Sequence, residues 1–91
     1  MDFKTGIKRM IDNIDEYRNN KISIDVLKEN LFALYELIDG RLNDEFADGF
    51  HKYWDYIEEV CAMDKIAEYK KTIEDKILPE LNNFLLKQLN D

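Results

Sequence analysis

Apolar residues recur at steps of three and four along nearly the whole chain, a period that gathers them on one face of an α-helix. The first series is Phe3, Ile7, Met10, Ile11, Ile14 and Tyr17, which predicts a helix over residues 2–18. Gly6 lies inside it and costs roughly 1 kcal/mol relative to alanine, so the first turn is expected to fray. Arg18-Asn19-Asn20-Lys21 then breaks the pattern and reads as a short turn.

Ser23 is placed to cap a second helix through its side-chain oxygen, with Asp25 in the first turn against the helix dipole and Ile22 as a staple. Its apolar series is Val26, Leu27, Leu31, Leu34, Tyr35 and Ile38, and Asp39-Gly40 is the expected stop. From Arg41 a third segment carries Leu42, Phe46, Phe50, Tyr53, Trp54, Ile57, Val60 and Cys61, which predicts the longest uninterrupted amphipathic helix. Gly49 within it either admits a neighbouring helix closely or weakens its own, and so aromatic a stretch favours the first. After Ala62-Met63, Asp64 is the expected cap of a fourth helix bearing Ile66, Tyr69, Ile73 and Ile77. Pro79 removes an amide donor and disfavours helical geometry at Leu78, yet Leu81, Phe84, Leu85 and Leu89 continue the stripe. One kinked helix, or two collinear pieces, is expected there.

Only three glycines and one proline occur in 91 residues, too little punctuation for the many short strands of a β-sandwich. A chain this short supports one core. The expected architecture is therefore a single all-α domain spanning residues 1–91, an up-down antiparallel bundle of four helices whose short connections make consecutive helices neighbours.

The formal net charge of -7 repels phosphates and anionic lipid, so neither nucleic acid nor a membrane is the expected partner. A basic protein surface is favoured, mainly through faster encounter. Cys61 is the single cysteine, which rules out an internal disulfide, and its neighbours Val60 and Ala62 predict a buried thiol. No stretch reaches the roughly 20 apolar residues of a membrane span, and Met1-Asp2-Phe3-Lys4 does not open a signal peptide, so a cytoplasmic location is expected.

Asp48, His51 and Asp55 stand at steps of three and four, a spacing that could present metal ligands, but a di-iron bundle needs paired glutamates and a second histidine motif. No metal or other cofactor is expected. The carboxylates are scattered and interleaved with lysines, as in Glu68 to Lys71, and no serine-histidine-acid set or phosphate loop occurs. The chain does not read as an enzyme. Its most distinctive segment runs from Phe46 to Glu59, where bulky aromatics alternate with acids. Phe46, Phe50, Tyr53, Trp54 and Ile57 share a broad face, while Tyr56 points towards the carboxylates, either as an interface anchor or as the edge of the core. Asp48, Asp55, Tyr56, Glu58 and Glu59 are the expected partner-binding residues.

Tyr17, Lys21-Ile22-Ser23, Leu27, Asn30-Leu31 to Leu34, Asp44-Glu45-Phe46, Trp54, Ile57-Glu58 and Val60 to Ala62 follow in an order that resembles small, acidic, helical bacterial immunity proteins, over residues 11–62. The resemblance implies a cognate inhibitor that binds a toxin domain and blocks its active site or an adjoining surface, a basic nuclease-type toxin suiting the charge. The aromatics read Tyr53-Trp54-Asp55-Tyr56, not the paired tyrosines of colicin DNase immunity helices, so no binding residue is carried over from those. The alternative reading is a non-enzymatic structural or regulatory module that self-associates, as a homodimer, through apolar surface left on a thin bundle.

Overall fold

A computed structural model of the protein describes residues 1–90. Helix α1 spans Phe3–Arg18, α2 Ile24–Leu37 and α3 Asp44–Ala62. The fourth arm of the bundle is α4, Ile66–Thr72, a π-helical turn over Ile73–Ile77, and α5, Leu78–Asn90, joined without a break. Among the described residues no strand forms. α1 packs against α2 and α5, and α3 against α2, α4 and α5, so the four arms close a ring around one core. That core is built from the expected faces: Ile7, Met10 and Ile14 of α1, Leu27 and Leu31 of α2, Phe46, Phe50 and Ile57 of α3, and Ile73, Ile77, Leu81 and Leu85 of the fourth arm.

Three of the four starts are capped by side chains. Asp2 accepts from Thr5 N at 3.1 Å, and this bond holds its carboxyl below the usual range. Ser23 accepts from Val26 N at 3.2 Å, as the sequence suggests, and Asn43 from Phe46 N at 3.0 Å. Leu42, expected on the third helix, therefore lies before its cap and is 83% exposed.

The ends of α1 and α3 share one device. Asn20 (φ 59°) and Asp64 (φ 54°) adopt the left-handed conformation just past each helix. Behind them Lys21 N bonds Glu16 O at 2.9 Å and Lys65 N bonds Val60 O at 3.1 Å. Both are Schellman closures, which satisfy carbonyls that would otherwise be orphaned. Asp64 thus terminates α3 and does not cap α4, whose preceding residue Lys65 makes no side-chain cap bond. An αL residue belongs to the helix behind it, and the expected cap role would need an extended backbone.

α2 stops at Leu37, short of Asp39-Gly40. Ile38 turns extended (ψ 144°) and drops, fully buried, onto Gly6. The backbone of Met1 clasps this exit, Met1 N donating to Leu37 O at 2.9 Å and Asp39 N to Met1 O at 2.8 Å. Gly6 is therefore a buried contact point rather than a frayed turn, because a Cβ there would collide with the Ile38 side chain.

At Pro79 the helix continues by widening. Leu78 N bonds Ile73 O, five residues back, so the turn before the proline is π-helical. The extra residue shifts the apolar stripe by one position: Ile73 and Ile77 lead into Leu78, which is fully buried although the expected stripe skipped it. Proline's missing amide and ring are absorbed by a local expansion, one of the recognised sources of a helix kink.

Gly6→Ala should lower stability by about 1–2 kcal/mol in urea denaturation, the opposite sign from an exposed helical glycine. Asp64→Gly should raise the thermal midpoint, by about 1 kcal/mol of stability, by removing the left-handed penalty. A helix cap at Asp64 would instead lose stability on the same change.

Candidate protein-binding surfaces

Phe46 and Phe50 of α3 are buried, and Tyr53, Trp54 and Tyr56 are half-buried against the same core. Tyr35 and Phe50 stack at 4.4 Å between centroids and 8° between planes, and Phe32 stacks on Trp54 at 4.7 Å. Phe46 meets Phe3 of α1 at 5.0 Å, Tyr35 of α2 at 6.0 Å and Phe84 of α5 at 5.8 Å. Trp54 Nε1 donates to the Lys28 carbonyl at 2.9 Å, giving its polar edge a partner on α2. Gly49 lies against Phe84 of α5: a Cβ there would overlap the Phe84 ring, so its missing side chain makes room for that ring of the neighbouring helix.

What α3 turns outward is acidic. At about 100° per residue, Asp48, Asp55 and Glu59 fall on one stripe opposite the core face, and all three are exposed. Lys52 stands in the same stripe, its ammonium 5.2 Å from the centre of the Tyr53 ring, in cation–π range. Tyr56 and Glu58, both half-buried, flank this stripe on opposite sides, roughly 160° apart around the helix. Three of the five expected contact residues thus share one strip, with Lys52 between Asp48 and Asp55, and the other two do not face one partner surface together. Tyr56 packs against the core cluster, the role of an edge residue.

His51 Nδ1 lies 3.2 Å from Asp55 Oδ1 on the exposed face. Among the described residues no group of three or more His, Cys, Asp or Glu side chains is arranged to hold a metal ion. Cys61 is half-buried rather than buried, and Ala62 beside it faces solvent. Partial burial raises its thiol pKa, and the carboxylate of Asp25 acts in the same direction, so the sulfur stays protonated and a poor nucleophile.

A second surface escaped the sequence pattern. Val26, assigned above to the core series of α2, is 40% exposed, and Leu37 is 58% exposed. With exposed Ala33 they make a stripe on the outer face of α2 at steps of seven and four, away from Leu27 and Leu31. Between this stripe and α1 runs an open groove of about 370 Å³, lined by Leu34 and Leu37 on one side and Arg9, Asp12 and Glu16 on the other. Its floor is polar: Asn30 Nδ2 donates to Asn13 Oδ1 at 2.9 Å, and Asn13 Nδ2 donates to the Arg9 carbonyl at 2.8 Å. The clue in the sequence was an apolar residue too many, since Val26 stands about 100° from Leu27 and both cannot face the same core.

At the far end of the bundle the Tyr17 hydroxyl donates to Glu74 Oε2 at 2.7 Å, tying α1 to the π-helical turn. Burial and the adjacent carboxylate push this phenol well above its ordinary value. No helix among the described residues is long and apolar enough to cross a membrane. No family model, curated protein or solved structure matches the chain.

Asp48→Asn, Asp55→Asn and Glu59→Gln should each leave the urea midpoint within about 0.5 kcal/mol of the parent, as expected of solvated charges. Tyr17→Phe tests the long-range bond. A phenol whose pKa is raised by folding contributes fully below its ordinary value of 10.0 and loses that contribution as pH rises towards the folded value. The parent should therefore melt higher than the variant at neutral pH, and the gap should narrow above pH 10.

Proposed function

We propose that this chain is an immunity-type protein that binds a basic bacterial toxin domain, nuclease-type by its charge, and neutralises it by occupying its surface. The carrying observation is the exposed acidic strip Asp48, Asp55 and Glu59 on α3 of a chain with net charge -7. A strip of carboxylates held on a rigid helix steers a cationic partner and sets its orientation. The helix is rigid because its aromatic side is locked into α2 and α5, so the acids are presented without ordering cost at encounter. The order of residues that resembles acidic immunity proteins supports the same reading. In this role the protein needs no cofactor and acts in the cytoplasm of the cell it protects.

Self-association is the second reading: the exposed apolar stripe on α2 is the surface a second copy would cover, and the acids beside it are what oppose that copy. Sedimentation of the purified chain separates the two, a stable homodimer supporting self-association.

The reading requires a neighbouring gene for a toxin carboxy-terminal domain, and the test is co-expression with that domain followed by gel filtration of the mixture. Rescue of growth and a co-eluting complex are expected; unprotected cells and separate elution would end the proposal. Asp55→Lys combined with Glu59→Lys should slow association about tenfold at low salt and flatten its ionic-strength dependence. Stopped-flow mixing across a salt series reads both.

A further inference from the structure

The outer face of α2 stands apart from the α3 strip and does not depend on it. Val26, Ala33 and Leu37 stand in line on the solvent side over about 16 Å of helix, with Glu29 and Asn30 in the turn between Val26 and Ala33. Along one edge run the exposed carboxylates Asp25, Glu29 and Glu36 of α2 itself. Along the other, across the groove, stand Asp12 and Glu16 of α1, with Arg9 the one cation in the groove wall. An apolar strip between two acidic rails is complementary to one kind of object: a helix with an apolar seam flanked by lysine or arginine.

We infer that the outer face of α2, beside the α1–α2 groove, docks a single amphipathic basic helix of a partner protein, its apolar residues at helical spacing seated on Val26, Ala33 and Leu37. Recognition of an amphipathic helix needs an apolar stripe of this length together with charges that fix the direction and exclude wrong partners. The groove floor adds a polar mark. The amide chain from Asn30 through Asn13 to the Arg9 carbonyl uses Asn30 as a donor, and among the described residues Asn30 Oδ1 has no donor of its own. That oxygen suits an ammonium or guanidinium entering the groove. A second copy of this chain would bring its own acidic rails against these, and like charges brought together at a contact oppose docking.

The experiment uses the full chain and a synthetic helical peptide of about 14 residues with leucines at heptad seam positions and lysines elsewhere. Its scrambled isomer, of identical charge but no apolar seam, is the control. Fluorescence anisotropy at physiological salt should show the helical peptide binding at least about tenfold more tightly than the scrambled one. Val26→Ser with Leu37→Ser should remove that difference, and both positions are exposed enough for the fold to tolerate the change. Asp55→Lys with Glu59→Lys, on α3, should leave it within about twofold, which separates this surface from the toxin-binding proposal. Equal binding of the two peptides, or no response to the α2 variants, overturns the inference. So does a concentration-dependent homodimer that Leu37→Ser dissolves, which would identify a second copy as the occupant.

Discussion

The bundle hangs on the packing of Phe46. This one ring touches aromatic partners from the other three arms, Phe3 of α1, Tyr35 of α2 and Phe84 of α5. Offset and edge-on aromatic pairs add about 0.5–1.5 kcal/mol each beyond the area they bury. Their larger effect here is positional. Flat rings stacked along the α2–α3 contact, from Phe46 through Tyr35 and Phe50 to Trp54 and Phe32, set the rotation of both helices. Gly49 is the condition for this arrangement on the other side, because Phe84 reaches α3 only where no side chain stands.

Consequences for function follow from that rotation. Once the aromatic face of α3 is inside, the residues half a turn away, Asp48, Asp55 and Glu59, have nowhere to point but solvent. The mixture of aromatic and acidic residues that marks this segment in the sequence is therefore divided by the fold into core and surface. The surface that α3 turns to solvent is mainly charged, with Tyr53, Trp54 and Tyr56 half-buried at its edges. Apolar contact surface lies elsewhere, on α2, which turns one apolar stripe inward and leaves a second outward.

The two irregular points of the chain show how local chemistry and tertiary packing negotiate. Near Pro79 the helix gains a residue in a π-helical turn, which accommodates the proline and lets adjacent Ile77 and Leu78 both reach the core. Tyr17 of α1 holds Glu74 of that turn, so the irregularity is tied to a neighbouring helix. At the other end Ile38 abandons helical geometry to fill the space that Gly6 leaves, and the Met1 backbone bonds secure it.

By itself the sequence determined the class of fold, the number of helical arms, the caps at Ser23 and the position of the kink, because helical periodicity and side-chain capping act within a few residues. It also determined that acids would be plentiful on α3. Tertiary structure alone decided that Gly6 is a contact and that Val26 and Leu37 face outward. Each of these depends on which neighbour is present at a given angle around a helix. A one-dimensional pattern records how apolar a position is, but burial is a property of the partner that covers it.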